Sequence, residues 1–262
     1  MSTESPGFVA IERVSQRYDA TGPAIVDGVD WTIPRGEIHC LLGRSGCGKT
    51  TLLKLAAGLL MPSAGTIRIG GEALCGPGPR AGFVFQTPTL LDWLSVIDNV
   101  LLPVSLKRRP SGADRQAALD LLACVGLADF AARRPAALSG GQQSRVAVAR
   151  ALIGKPDLLL LDEPFAALDA LTREELQDDL LRLCAQGGTT ALFVTHDIGE
   201  AVYLADTVAV MSAGRLTHTR RITLARPRHR DMRYAPAFTA ACRALRDAME
   251  GEAGTLGRRP AA

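Results

Sequence analysis

Gly43-Arg44-Ser45-Gly46-Cys47-Gly48-Lys49-Thr50-Thr51 sets three glycines, an ammonium and two adjacent threonine hydroxyls within one short loop. Glycines at this spacing let backbone N–H groups curl around phosphate oxygens, and a helix starting at Lys49 adds its positive N-terminal end. In that context Lys49 reaches the β- and γ-phosphates of a nucleotide and Thr50 ligates Mg²⁺. Asp162 and Glu163 close the apolar run Leu158-Leu159-Leu160-Leu161. Two carboxylates there are costly unless a cation or a substrate proton meets them. Asp162 suits Mg²⁺ through its hydration shell, and Glu163 suits the base that polarises water against a γ-phosphorus. His196 follows the apolar run Thr190–Val194 and suits a γ-phosphate contact, although a lone strand-end histidine is also an ordinary capping residue.

The elements that must position these groups are legible as short β-type runs ending in glycine or a carboxylate, alternating with segments of helical spacing. That is the pattern of an α/β domain with a largely parallel sheet. Strands are expected near Phe8–Tyr18, Ile25–Ile33, Ile38–Leu42, Gly65–Ile69, Gly82–Phe85, Leu158–Leu161, Thr190–Val194, Val208–Met211 and Arg215–Thr219. Helices are expected over Lys49–Leu59, Ala113–Val125, Gly140–Ile153 and Leu171–Ala185, where Leu176, Leu180 and Leu183 share a face. Phe238–Met249 also has helical spacing.

The 262 residues carry 30 Lys plus Arg against 27 Asp plus Glu, a net charge of +3. That surplus is too small for a protein built mainly to neutralise nucleic-acid phosphates. The six cysteines show no metal-ligand or CxxC spacing, and reduced thiols in a cytosol fit best. Met1–Gly7 is polar and leads into no signal-like apolar run, so the chain is expected to stay inside the cell. No run approaches a membrane span. There is no internal repeat, so a dimer of cassettes requires two chains.

Leu138-Ser139-Gly140-Gly141-Gln142, some twenty residues before the acidic pair, resembles the signature of ATP-binding-cassette ATPases. The likeness runs from about Phe8 to Thr219 and includes, in order, the phosphate loop, a glutamine loop at Gln86, the signature, the acidic pair, the turn Ala167-Leu168-Asp169 and His196. The resemblance implies a P-loop cassette with a mainly parallel core sheet, an N-terminal antiparallel β-subdomain and an inserted α-helical subdomain over about 87–155. It implies ATP held by residues 43–51, stacking of Tyr18 on adenine, and contact of Gln86 with Mg²⁺ and the attacking water. It also implies that Ser139, Gly140, Gly141 and Gln142 face the γ-phosphate of a second, head-to-tail copy, with Asp169 along the seam. Tyr18 packed on its own sheet is the plainer alternative. A soluble cassette ATPase acting on nucleic acid or ribosomes is the competing class, but it usually carries coiled-coil insertions or two cassettes, and neither is present. A non-hydrolysing ATP-binding regulator is disfavoured by Glu163 and His196.

Within the family, Phe85-Gln86-Thr87-Pro88-Thr89-Leu90-Leu91-Asp92-Trp93-Leu94-Ser95-Val96 and Gly76-Pro77-Gly78-Pro79 are similar to nitrate, sulfonate and taurine importer ATPases. Such a subunit sits on the cytoplasmic face of the inner membrane beneath integral-membrane permease subunits, which receive solute from an extracytoplasmic binding protein. Leu90, Leu91, Trp93 and Leu94 either form a groove for a permease helix or fill the helical subdomain's own core. Cys47, at a helix N-terminus, is either a thiol whose pKa that setting lowers or simply a small residue tolerated in a tight loop. From 220 to 262 the chain reads as an appendage, its Arg220–Arg233 stretch as a solvated tail.

Overall fold

The computed structural model describes residues 7–19, 22–78, 80–166 and 168–256. The expectations for the first six residues, for Pro79 of the Gly-Pro run and for Ala167 of the Ala-Leu-Asp turn lie outside the described residues. In chain order the elements are β1 (Val9–Gln16), β2 (Val26–Ile33), β3 (Ile38–Leu42), α1 (Lys49–Ala56), β4 (Ala64–Ile69), β5 (Glu72–Ala73), β6 (Ala81–Val84), α2 (Val96–Ser105), α3 (Gly112–Cys124), α4 (Gly140–Leu152), β7 (Leu158–Asp162), α5 (Ala170–Gly187), β8 (Thr190–Thr195), α6 (Ile198–Leu204), β9 (Thr207–Ser212), β10 (Arg215–Arg221) and α7 (Pro236–Leu256). The chain divides into two compact units, Met1–Pro77 with Leu192–Ala262, and Gly78–Ala191, the division falling inside β8.

In the first unit β2, β1, β4 and β5 form an antiparallel sheet in that order. Its strands alternate buried and exposed positions, as a sheet with one covered face requires. The strands β10, β9, β3 and β8 lie side by side, β3 parallel to β9 and β10 antiparallel to it. Every residue of β3 is buried, which is why Ile38–Leu42 reads as a continuous run. The helix α6 packs on β3, and α7 packs on α6 and β9. Phe238 and Leu245 of α7 are buried, 7% and 0% exposed, so the helical spacing expected there marks a packed face.

In the second unit β6 and β7 pair in parallel, and α2, α3, α4 and α5 pack in succession around α4. Ser95 caps α2 by accepting from the Asp98 N–H, and Ser111 and Asp114 form a capping box on α3. The helix α2 was not expected: Pro103 lies inside it, where proline lacks the N–H that would bond the carbonyl four residues back and so argues against a helix in the sequence.

The arginine stretch is not a solvated tail. Arg221 Nη1 donates to both carboxylate oxygens of Glu37, at 2.8 and 2.9 Å, and Arg226 pairs with Asp206 at 2.8 Å. Arg228 is buried against backbone carbonyls, and the Arg233 guanidinium lies 3.6 Å from the Tyr203 ring centroid. Strand pairing itself continues through Arg221.

Candidate functional site

The phosphate loop leaves β3 and enters α1, and its glycines are there for steric reasons. Gly46 and Gly48 have φ of 80° and 107°, a region that disfavours any Cβ. A Cβ on Gly48 would sit 2.4 Å from the Ile25 carbonyl oxygen, and one on Gly43 2.5 Å from that of Met211. The loop can therefore curl only as glycine, and Arg44, Ser45 and Gly46 are left exposed along it. Lys49 is buried, its ammonium donating to the carbonyls of Gly43 at 2.8 Å and Arg44 at 2.9 Å. These bonds hold the cation across the mouth of the loop, where an incoming phosphate replaces weak carbonyl acceptors with charged ones. Thr50 and Thr51 open α1.

Tyr18 lies beyond the end of β1 and is 59% exposed, with its hydroxyl 3.3 Å from Thr51 Oγ1. It does not pack into its own sheet. An exposed ring tethered to the phosphate loop presents a face to a planar ligand.

The surroundings of Cys47 correct the expectation of an activated thiol. Burial pushes it above its ordinary value, only partly offset by the Lys49 charge. Its Sγ lies 2.8 Å from where a Gly43 Cβ would stand, so the sulfur is turned toward Gly43.

His196 is exposed directly after β8. The chain around it is tied by a buried knot that the sequence did not advertise. The Thr195 hydroxyl donates to Glu200 at 2.6 Å and accepts from the Asp197 N–H at 3.0 Å, while Asp197 Oδ1 accepts from the Glu200 N–H at 3.0 Å.

In the second unit, the register Val84↔Leu161 brings Gln86 and Glu163, each two residues further on, to the same edge of the β6–β7 pair. Asp162 is buried at the end of β7, and Glu163 has φ of 44°. That conformation is unusual for a residue with a Cβ and marks a sharp turn at the carboxylate.

Ser139 caps α4 in a capping box with Gln142: Ser139 N–H to Gln142 Oε1 at 2.9 Å, Gln142 N–H to Ser139 Oγ at 3.3 Å. Gly140 is exposed, and a Cβ on Gly141 would lie 2.5 Å from Thr172 Cγ2. Asp169 caps α5 by accepting from the Thr172 N–H at 3.1 Å, and hydrogen bonding from the Thr172 side chain, then from its backbone, draws the Asp169 carboxyl below the usual range. Thr172 thus links Asp169 to the signature turn.

Two further contacts order the segment after Gln86. Arg150 of α4 donates to the carbonyls of Thr89 at 2.9 Å and Pro88 at 2.8 Å. Asn99 of α2, fully buried, accepts from the Leu91 N–H at 2.8 Å and donates to the Leu91 and Ser95 carbonyls. Between them Trp93 is 69% exposed, with Leu90, Leu91 and Leu94 half-buried, so Trp93 does not fill the core.

A family model described as ABC transporter matches residues 26–166. The chain is 47% identical over 203 residues to the taurine import ATP-binding protein TauB of Chromobacterium violaceum, covering 78% of each chain. It is 41% identical over 235 residues to the bicarbonate transport ATP-binding protein CmpD of a Synechocystis strain, covering 87% of this chain and 83% of that one. Among solved structures, the ATP-binding cassette MJ0796, dimeric in a post-hydrolysis state with ADP and Pi, superposes with a TM-score of 0.74 at 32% identity over 83% of this chain and all of that one.

Proposed function

Because the chain belongs to the ABC transporter family, as an ATP-binding cassette ATPase, we propose that it energises import of a small solute such as taurine, another sulfonate or bicarbonate. The observation that carries the nucleotide site is the strand, left-handed-glycine loop and helix that hold the buried Lys49 ammonium over exposed backbone. The cargo class rests on relatives whose names specify taurine import and bicarbonate transport, and on the loop from Gln86 to Val96.

In this reading the N–H groups of residues 43–51 and Lys49 bind the phosphates of ATP, and Tyr18 stacks on the base. Glu163 takes a proton from the attacking water, Gln86 orients that water, and His196 contacts the γ-phosphate. In this reading Thr50 of the first unit would offer its hydroxyl to Mg²⁺, and Gln86 and Asp162 of the second an amide oxygen and a carboxylate, hard oxygens of the kind that ion accepts. Among the described residues no group of three or more His, Cys, Asp or Glu is placed to hold a metal ion. Bound there, Mg²⁺ neutralises charge on the phosphate oxygens.

Ser139, Gly140, Gly141 and Gln142 would meet the γ-phosphate held by a second copy, with Asp169 at the seam. The dimeric relative with ADP and Pi supports this arrangement. In this reading permease subunits carry the solute, with the exposed Trp93 and its half-buried leucines as the docking face at the inner membrane; no described helix is long and apolar enough to cross a membrane. The test is Mg²⁺-dependent ATP hydrolysis by the chain and by Glu163→Gln, read beside ATP-dependent dimerisation by size-exclusion chromatography. Turnover in the wild type, with a mutant that loses hydrolysis and is trapped by ATP as a dimer, supports the reading. A Glu163→Gln chain that hydrolyses at the wild-type rate overturns the assignment of the base.

A further inference from the structure

From the geometry we infer that Arg150 is the positioning residue for Gln86, acting through the backbone of Pro88 and Thr89. The inference rests on the reading of Gln86 given above and deepens it. Gln86 itself is exposed just past β6, where no strand pairing fixes it. The next ordered contact along the chain is made by Arg150, which sits eleven residues past Ser139 and on the same helix. Its guanidinium donates to Thr89 O at 2.9 Å, Pro88 O at 2.8 Å and Thr89 Oγ1 at 3.2 Å, three acceptors from one planar fork.

Thr89 has φ of 46°. A β-branched residue rarely adopts this left-handed conformation, which persists only where the surroundings over-determine it. Arg150 is what over-determines it. Burial draws the guanidinium pKa down slightly, but so strong a base stays charged throughout the physiological range. Asn99 anchors the loop again at Leu91, so the segment from Gln86 to Leu91 is held at its far end by α2 and near its middle by α4. The helix opened by the Ser139 cap therefore carries, on its side, the group that sets the path of the glutamine loop. A displacement of α4 would be passed to Gln86 through these bonds, with no contact between Gln86 and the signature residues.

The experiment uses the full chain with Gln86→Ala, Arg150→Gln, Arg150→Lys, and Arg150→Gln combined with Thr89→Gly. Hydrogen exchange of the peptide spanning 85–95 reads loop order independently of catalysis, and steady-state Mg-ATP kinetics reads the consequence. Arg150→Gln should raise early exchange in that peptide and lower kcat about ten- to a hundredfold, the scale of a misplaced catalytic group, with KM nearly unchanged. Arg150→Lys, which keeps the charge without the fork, should fall between. Thr89→Gly should recover several-fold of the kcat lost by Arg150→Gln, because glycine adopts the required conformation without support. If Arg150→Gln leaves exchange over 85–95 at the wild-type level while its melting temperature is normal, the positioning role is wrong. A melting temperature that collapses, with exchange rising throughout the chain and no rescue by Thr89→Gly, makes Arg150 a merely structural residue and also overturns the inference. If exchange rises locally but neither Arg150→Gln nor Gln86→Ala slows turnover, the reading of Gln86 fails instead, and the inference falls with it.

Discussion

The hydroxyl of Thr195 donates to the carboxylate of Glu200 at 2.6 Å inside the core, one residue from the exposed His196. The same oxygen accepts the Asp197 N–H, so a single hydroxyl fixes the chain on both sides of the imidazole. Thr195→Val preserves shape and deletes both bonds, which should cost about 1–3 kcal/mol of stability. It should also lower kcat by about tenfold as His196 loses its fixed base. Thr195→Ser keeps the hydroxyl and should behave like wild type in both thermal melts and turnover. Equal kcat for the Val and Ser variants would mean that the knot does not position His196.

Gly141 answers to a different constraint. Its φ is helical, so conformational freedom is not the issue; space is. The Thr172 methyl stands 2.5 Å from the position of a Cβ, while Leu168 Cδ2 at 3.6 Å would only be in ordinary contact with it. Gly141→Ala should destabilise by about 1–3 kcal/mol, the usual cost of overpacking, and slow ATP hydrolysis by displacing the Ser139 turn. Thr172→Ser removes only the offending methyl, so the double variant should regain most of the loss in urea unfolding. Purely additive effects would show that the clash is not the cause.

The parts read directly from the sequence are those whose chemistry is local. The phosphate loop, the Leu158–Leu161 run with its carboxylates, and the Ser139 cap are each defined by neighbours in the chain. Arg150 and Thr89 are 61 residues apart, and nothing near either residue announces the partner. Pro103 obscured α2, although Ser95 and Asp98 form a cap signal three residues apart. Seven-residue α6 and two-residue β5 are too short to show periodicity. Clustered arginines read as solvated charge because their acceptors, the carbonyls and carboxylates of distant elements, become visible only once the chain is folded.

His39 should make stability depend on pH. It is 3% exposed beside the Trp31 ring, and burial lowers its pKa from 6.5 despite the opposing pull of Glu37 at 3.0 Å and Asp206; Arg221 adds to the lowering. With a depressed folded pKa, the unfolded chain binds the proton more readily, so ∂ΔG/∂pH is positive in this range. The contribution is fully present above 6.5 and is lost as pH falls below it toward the folded value. Glu37, whose pKa is lowered by Arg221 and His39 in spite of its own burial, acts in a separate window below 4.5. His39→Gln should flatten the decline in unfolding free energy just below pH 6.5, measured by urea titration between pH 5 and 8. An unchanged slope would locate the pH dependence elsewhere.

Arg228 is 8% exposed and donates to the carbonyls of Leu224, Ala225 and Ala205. Ala205 caps the C-terminus of α6, where carbonyls are otherwise unpaired and a cation is favoured. Arg226 adds a bond to Leu204 O and its pair with Asp206. Removing the guanidinium leaves buried acceptors with lost partners, so Arg228→Ala should cost on the order of 2–3 kcal/mol, or roughly 5–10 °C in melting temperature. Arg220, exposed on β10, should change stability by no more than about 0.5 kcal/mol when replaced by Ala. Because Arg228 is shielded, added salt should not reproduce its loss. Equal melting temperatures for the two variants would return the stretch to the status of a solvated tail.

Cys47 and Cys75 should separate by reactivity. A thiol reacts as its thiolate, and burial pushes Cys47 above the ordinary 9.0, with its sulfur turned toward Gly43. Cys75 is exposed, its thiol donating weakly to the Ala73 carbonyl at 3.7 Å. At pH 7 a maleimide probe should therefore label Cys75 first and leave ATPase activity intact, while Cys47 reacts more slowly and gains rate as pH rises. Once Cys47 is modified, the added bulk sits inside the loop that Lys49 spans, and hydrolysis should stop. ATP, by filling the loop, should slow that second phase and not the first. Peptide mapping in a Cys75→Ser background reads the Cys47 phase alone. Full labelling of Cys47 with unchanged turnover would show that the sulfur lies outside the space nucleotide occupies.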